Sequence, residues 1–420
     1  MPEFLPFAGI RYDPARLAGS TGLVADVGAV AAPPYDVIDD DDRSVLEAAD
    51  PHNAVHLILP REARGRDGYR VAADALASWE AEGVLAADPD PRFYLYAMDF
   101  EDEDGRARQT RGVIGALGLP AAPGTGTVMP HERTSPKAKS DRLALLRATR
   151  ANLDPIWCLS LASGLTDLLE AGAGAPLAEC IDAEGVRHRL QALDGDAARI
   201  ATAVGGAPLM IADGHHRFET ACAYRDQRAD AGEDDPGARR IMAFVVELSE
   251  KELCVRAIHR LLRGVSEVDL RDTLTPIFEV VGTGFNTPGG VELLRARMAS
   301  TGGLGLVEPG RLALLSPRAD ALAPALGGVE PQLRAVDATV FEAAIRPRLP
   351  ATAGIAYRSD APAVGGLVEK GDAEAAVLLR PVTVPQIRAA AFAGVRMPQK
   401  TTFFHPKPRT GMVFRRLDGS

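Results

Sequence analysis

The run Leu209-Met210-Ile211-Ala212 is apolar and stops at Asp213-Gly214, after which His215-His216-Arg217-Phe218-Glu219-Thr220-Ala221 continues in a helix-forming pattern. A strand that ends in a glycine turn and opens a helix aims backbone N–H groups and the positive end of the helix dipole at one point. His215, His216 and Arg217 add donors and charge there, and Asp213 adds a carboxylate. Such a unit suits a phosphorylated ligand, with the carboxylate available to a metal ion or a proton. The plainer alternative is an aspartate that only caps the helix at Arg217. Adjacent histidines at a helix start cannot both point into a core, so at least one is expected to face solvent or ligand.

At 420 residues the chain exceeds one comfortable core, and two domains are expected. Apolar content of 46% and charged content of 25% are those of a globular protein. No apolar run is long enough to span a bilayer, so no membrane partner is expected. The start, Met1-Pro2-Glu3-Phe4-Leu5-Pro6, has neither the basic region nor the apolar core of a signal peptide, and the expected location is cytoplasmic. Cys158, Cys180, Cys222 and Cys254 form no C-x-x-C pair and read as buried free thiols rather than a zinc or redox site. The net charge of −10 disfavours non-specific nucleic-acid binding but leaves room for a local basic pocket. Arginine (41) far outnumbers lysine (6), and four of the six lysines fall in two clusters, Lys137 with Lys139 and Lys400 with Lys407. Where arginine is the default cation, a lysine marks a place that calls for a compact ammonium.

Along the chain, residues 1–60 read as irregular and strand-rich. Ala31-Ala32-Pro33-Pro34-Tyr35-Asp36-Val37-Ile38 is expected to be extended around its prolines, and 51–60 to be a turn feeding a short strand. Val71, Ala72, Leu76 and Trp79 have helical spacing over 69–83. Strands at 93–100 and 110–117 flank an acidic turn, a hairpin signal. The glycine- and proline-rich stretch from 118 leads to a helix over 141–151; a long loop of this kind is more often functional than idle. Residues 158–205 read as a small strand–helix insertion ending in a helix over 194–204, followed by strands at 241–248 and 253–259. Beyond about 265 the texture turns to Gly, Ala and Pro, with helices expected at 332–345 and 385–393 and strands at 354–357, 375–379 and 412–414. The mixture predicts an α+β protein with mixed sheets. The expected division is 1–264, an N-terminal phosphate-binding domain with an insertion around 158–205, and 265–420, a C-terminal α/β region closing on the site.

Three further clusters could carry chemistry. Met129-Pro130-His131-Glu132-Arg133-Thr134-Ser135-Pro136-Lys137-Ala138-Lys139 sets a histidine and a glutamate among cations just before a helix, surroundings that keep Glu132 ionised as a proton acceptor must be. A solvated charged loop with Ser140 or Asp141 as helix cap explains the same residues. Lys400…His405-Pro406-Lys407 presents cations separated by Phe403 and Phe404, an aromatic pair better read as core than as a base-stacking platform. Tyr35-Asp36 stands with His52, Asn53 and His56, and His56 reads as structural. No G-x-x-x-x-G-K-[ST], G-x-G-x-x-G after a strand, H-E-x-x-H or G-x-S-x-G occurs, which disfavours P-loop, Rossmann, zincin and α/β-hydrolase chemistry.

The blocks Ala32 to Ile38, His52-Asn53 with Leu57-Leu59-Pro60, Pro130 to Thr134, Lys139 to Leu143, Ala212 to Ala221, His259-Arg260-Leu261 and Met397-Pro398-Gln399-Lys400 to Gly411, in this order, resemble a family of bacteria and archaea known as domain of unknown function 1015. Phe218, Thr401 and Phe403 stand where that family pattern favours tyrosine, serine and tyrosine. The Asp213-Gly214-His215-His216-Arg217 string is itself similar to the phosphate-binding motif of the ParB/sulfiredoxin-like fold, which includes partition proteins, sulfiredoxin and free-serine kinases. The resemblance implies a ParB/sulfiredoxin-like core in the N-terminal domain. In the serine kinases such a string holds nucleotide phosphates while a separate glutamate serves as base. Carried over, Asp213 would be catalytic and would hold Mg²⁺, and Glu132 would be the base. Gly214, His215, His216 and Arg217, with Lys137, Lys139, Lys400 and Lys407, would hold the phosphates of ATP or ADP. Tyr35, Asp36, His131 and His405 fall to the substrate side.

The expected function is an ATP- or ADP-dependent kinase of a small hydroxylated metabolite, free L-serine being the best single choice. A nucleotide-binding ParB-like regulator is the alternative, although no helix-turn-helix with basic recognition residues is present. A non-catalytic metabolite-binding protein is a third class. The oligomeric state is not written in the sequence.

Overall fold

The computed structural model describes residues 2–63, 65–121, 127–130 and 136–418, apart from the side chains of 130 and 136–139. It is α+β and divides into two compact units, Met1–Cys254 with Pro406–Ser420, and Val255–His405. The second unit therefore interrupts the first, and the chain comes back to the first unit for its last residues, where a single break near 265 was expected.

The first unit is built on a sheet of ten strands among the described residues. Its spine is Arg240–Glu247, antiparallel to Ala107–Gly118 on one side and parallel to Ile156–Ser160 on the other. Six of its eight positions, Ile241 to Val246, are buried, the near-continuous apolar run of a strand covered on both faces. Beyond Ala107–Gly118 the sheet continues through Tyr94–Glu101, Arg187–Leu193, Ala173–Ile181 and the short edge Ala25–Asp26. Beyond Ile156–Ser160 lie Leu209–Asp213, antiparallel, and Val128–Pro130, parallel. The 158–205 segment thus supplies strands to the sheet itself.

Side chains alternate across this sheet as the two-residue period requires. Ile241, Ala243 and Val245 join Ile156, Cys158, Leu209 and Ile211 on one face, under Leu165, Leu169, Ile200, Val204, Phe218 and Cys222 from three helices. The other face carries Phe244, which meets Trp157 at 5.6 Å and Tyr96 at 5.3 Å between ring centroids. Helix His215–Asp230 also packs on Pro136–Thr149, which packs on Gly68–Ala81.

The helix over 69–83, the 93–117 hairpin and the helix after Asp194 fall close to their expected places, at Gly68–Ala81, Tyr94–Glu101 with Ala107–Gly118, and Ala197–Gly205. Three expectations are corrected. Residues 51–60 form no strand: Asn53 is fully buried, its side-chain oxygen accepts the Val55 amide at 2.9 Å, and that turn leads into the short helix Val55–Ile58. Tyr35–Val37 is a 3₁₀ turn rather than extended chain, since the prolines restrict only what precedes them. The helix Asp40–Ala49 was not foreseen; Asp39 and Asp42 form a reciprocal capping box, so the acidic run is a helix start.

The last residues close the first unit. Ala32 pairs with Thr410 and Ile10 with Phe414, and Arg415–Arg416 pairs with Ala151–Asn152, so the strand expected at 412–414 begins at Arg415. Arg415 is buried and donates to Asn152 Oδ1 at 3.1 Å and to the carbonyls of Arg240 and Gly237, each at 3.2 Å. A Cβ on Gly237 would lie 1.8 Å from the Leu417 carbonyl oxygen, so only glycine admits the tail there.

The second unit is a six-stranded sheet, with Phe278–Gly284 and Gly354–Arg358 at its edges and every adjacent pair antiparallel. Helices Pro288–Thr301 and Ala361–Glu369 cover it through Val291, Leu294, Met298, Val364 and Val368. The expected 332–345 helix is broken into Pro331–Leu333, Asp337–Val340 and the wider-wound Phe341–Ile345. Asp337, which ends the first break, accepts Arg380 Nη2 at 2.6 Å and the Arg380 amide at 2.7 Å.

Phe414 is fully buried beside Tyr12, and Phe414→Ala should cost about 3–5 kcal/mol, read as a fall in the urea midpoint of the first unit. A second prediction concerns His259, whose Nδ1 accepts the Leu379 amide at 3.1 Å. Burial first, then Arg295 and Arg260, push its pKa down to about 3. The unfolded imidazole titrates near 6.5, so this stabilisation is whole above that pH and is lost as pH falls toward 3. Amide protection in the second unit, taken relative to the intrinsic exchange rate at each pH, should fall between pH 7 and 4, and His259→Asn should flatten that dependence.

Candidate functional site

Strand Leu209–Asp213 hands the chain to helix His215–Asp230 through Gly214, whose φ of 89° lies in the left-handed region. The cap position is Gly214 itself, which has no side chain to cap with. Asp213 does not turn back onto the helix start, as a capping residue would. Its Oδ2 accepts Arg217 Nη2 at 2.8 Å, and its Oδ1 accepts Lys407 Nζ. Arg217 also donates from Nη1 to the Pro155 carbonyl at 2.8 Å, which ties the first helical turn to the neighbouring strand. The positive end of this sixteen-residue helix's dipole is directed at whatever lies before Gly214.

The three charges are mostly buried: 15% of the Asp213 side chain, 14% of Arg217 and 16% of Lys407 remain exposed. Burial works to raise the Asp213 pKa, but Lys407 and Arg217, with His215 behind them, outweigh it and hold the carboxyl well below the usual range. Asp213 is therefore a fixed anion that two cations share. A proton acceptor works best with a pKa near the working pH, so this carboxylate is suited to anchoring charge rather than to taking a proton.

A second layer surrounds Arg217. Asp154 is buried, and burial raises its pKa against the opposing pull of Arg217, of a hydrogen bond from Thr410 Oγ1 and of Arg142. The Arg142 guanidinium lies over the Tyr35 ring at 4.2 Å and donates to the Ile58 carbonyl at 2.8 Å. It also grips Asp141 Oδ2, and the other oxygen of Asp141 accepts from the Tyr69 hydroxyl at 2.8 Å. Burial raises the Tyr35 pKa, while Arg217 pulls it down. Burial opposes the charge on Arg217, and Asp154, Asp213, Asp36 and Tyr35 restore it. These groups form one electrostatic cluster.

Of the residues singled out in the sequence, the structure groups Asp213, Gly214, His215, Arg217, Tyr35, Asp36 and Lys407, with His216 half-buried on the same turn. His131 and Glu132 lie outside the described residues, as do the side chains of Lys137 and Lys139, whose backbone belongs to helix Pro136–Thr149. Lys400 and His405 belong to the second unit, where His405 is buried and its Nε2 stands 2.9 Å from Arg256 Nη2. Asp154, Arg142 and Thr410 were missed as site residues. The signal for Asp154 was there: an acidic residue between Leu153 and Pro155, at the mouth of an apolar strand.

Magnesium was expected on Asp213. Both carboxylate oxygens are taken by cations, and among the described residues no group of three or more His, Cys, Asp or Glu could hold a metal ion. The donor set does not fit a resident ion. No helix among the described residues is long and apolar enough to cross a membrane. Cys158, Cys180 and Cys222 are buried free thiols, and Cys254 is half-buried.

Residues 4–339 match the family model described as Protein of unknown function (DUF1015). Comparison with curated proteins finds no match. Among solved structures, a conserved hypothetical protein from Pyrococcus furiosus is similar over 70% of this chain and 93% of its own, at TM-score 0.36 and 12% identity. SbnI with a C-terminal truncation, from Staphylococcus aureus, is similar over 73% and 90%, at 0.39 and 12%. A free serine kinase variant in complex with AMP is similar over 66% and 84%, at 0.36 and 11%. At these scores the likenesses say nothing about activity.

A Cβ at position 214 would sit 3.0 Å from Arg217 Nε, Arg217 Nη2 and Ile156 Cγ2. Gly214→Ala should therefore cost about 1–2 kcal/mol for the left-handed backbone alone and displace Arg217 besides. Urea unfolding measures the cost.

Proposed function

The chain belongs to the DUF1015 family, and from the geometry of its site we propose that it is a nucleotide-dependent phosphotransferase acting on a small hydroxylated metabolite, with free L-serine the first candidate. The observation that carries this reading is the helix start at the left-handed Gly214, with Lys407 and Arg217 held beside it on one ionised carboxylate. Phosphoryl transfer asks a protein for alignment and charge neutralisation more than for covalent chemistry. Backbone N–H groups at a helix start supply directional donors, and a compact ammonium supplies point charge.

In this reading Asp213 fixes the two cations in place before the nucleotide arrives, so little reorganisation is needed when charge moves in the transition state. Arg217, tied to the Pro155 carbonyl, is the more rigid of the two. Lys407 is the one that turns toward phosphate. The amides that open helix His215–Asp230 hold phosphate oxygens, and His215 and His216 add donors on the same turn. Tyr35 and Asp36 stand on the acceptor side, joined to Arg217 through the same cluster of charges. Glu132 keeps the role of base through the family resemblance alone. Magnesium enters with the nucleotide phosphates, as part of the substrate.

Purified protein given Mg-ATP or Mg-ADP and L-serine should form O-phosphoserine, detected by mass spectrometry. Lys407→Ala should cut turnover by about 10²–10³-fold, the usual cost of removing one group that meets transition-state charge. Asp213→Ala should abolish it, and the loss of stability from leaving two buried cations uncompensated is read separately by urea unfolding. Nucleotide binding without turnover on any hydroxy amino acid would leave a nucleotide-binding protein and remove the kinase. A wild-type protein that neither binds nor transfers would remove both.

A further inference from the structure

A chain of three hydrogen-bonded groups, none of them touching Asp213, ends on the segment that delivers Lys407. Tyr96, buried on strand Tyr94–Glu101, accepts the Arg409 amide on its hydroxyl oxygen at 3.0 Å. The same oxygen lies 2.7 Å from Nδ1 of His188, which is wholly buried on Arg187–Leu193. His188 Nε2 lies 3.0 Å from Asp182 Oδ2, and Asp182 Oδ1 accepts the amides of Glu184 and Val186 at 2.9 and 3.0 Å. Burial works against the charge on Asp182, but its bonds to His188 and Val186 keep it ionised, and burial keeps His188 neutral.

The donor and acceptor inventory then allows one arrangement of protons. Ionised Asp182 only accepts, so His188 carries its single proton on Nε2 and donates it there. Nδ1 is left bare and accepts the Tyr96 hydroxyl proton. The Tyr96 oxygen, its own proton spent, is free to accept the backbone of Arg409. Asp182 at a hairpin turn thus decides which way a hydroxyl two strands away presents its lone pairs.

Lys407 lies between Pro406 and Pro408, so neither neighbour has an N–H to anchor the backbone. The Arg409 amide is the first backbone donor after the one on Lys407 itself. Prolines on both sides also fix φ and keep Lys407 extended, which makes the stretch stiff. A shift at Arg409 is therefore carried to Lys407 rather than absorbed. Thr410, one residue further on, bonds Asp154, and its amide bonds the Ala32 carbonyl at 2.8 Å.

We propose that Tyr96, oriented by His188 and Asp182, is a positioning residue that sets where Lys407 stands against Asp213. Its importance to catalysis rests on the reading of Lys407 as a phosphate-holding cation; its effect on the placement of Lys407 does not. The test reads that placement directly. The intact chain is acylated under native conditions with limiting acetic anhydride, and modification of each of its six lysines is measured by mass spectrometry. Lys251, whose side chain is 66% exposed, serves as the internal reference against Lys407 at 16%.

Tyr96→Phe keeps the ring against Phe244 and deletes the hydroxyl, which is both the acceptor for Arg409 and the donor to His188. The Lys407-to-Lys251 ratio should rise about fivefold, the shift that loss of one net hydrogen bond produces. Asp182→Asn can donate to His188 Nε2 and so reverses the proton order, and it should raise the ratio in the same direction. A purely structural role would lower the unfolding midpoint and expose all lysines together, leaving the ratio at the wild-type value. A wild-type ratio in both folded variants overturns the proposal. A raised ratio in Tyr96→Phe alone overturns the part given to His188 and Asp182, and if Tyr96→Phe does not fold, Asp182→Asn decides. Acylation needs neither nucleotide nor turnover, so a failed kinase assay and a failed positioning role give different results.

Discussion

The carboxylate of Asp213, gripped on one oxygen by Arg217 and on the other by Lys407, is the contact on which the first unit turns. It joins the end of a strand, the first turn of a helix and the returning tail. Three charges this deeply buried are tolerable only as a set, because removing any one leaves the others without compensation in a medium that solvates charge poorly. The set explains why Gly214 must be glycine, why Arg217 reaches across to Pro155, and why Asp154 and Thr410 form a second pair behind the first.

The tail is as much a part of the first unit as the sheet it lies on. Phe414 fills the gap beside Tyr12, Arg415 satisfies two carbonyls and the Asn152 amide oxygen, and Arg416 forms a two-pronged ion pair with Glu80 at 2.6 and 3.0 Å. These contacts hold by packing and hydrogen bonding what chain connectivity alone would leave loose. They also bring Lys407 to Asp213 from 194 residues further along the chain.

Much of this was readable from residues alone, and the limits follow from physics. Strand Leu209–Asp213, its glycine and its helix declared themselves because period and composition change at one residue. The helix at Gly68–Ala81 and the hairpin after Phe93 have equally sharp periodicity. Residues 51–60 misled because four apolar residues carry no period, and a buried asparagine decided for helix. Asp154 escaped notice because its partners, Arg217 and Thr410, are 63 and 256 residues away along the chain. Lys400 and Lys407 looked like one cluster in the sequence, yet the boundary at Pro406 assigns them to different units. Proximity along a chain is a weak guide where the chain passes from one core to another.

That boundary bears on how the protein is made. Because Val255–His405 interrupts the first unit, a ribosome finishes the whole second unit before Lys407 emerges. Until then the buried set around Asp213 lacks its ammonium, and the tail that closes the first unit is still to come. The order of synthesis therefore acts as a timer: the three charges are brought together only after the second unit has been translated.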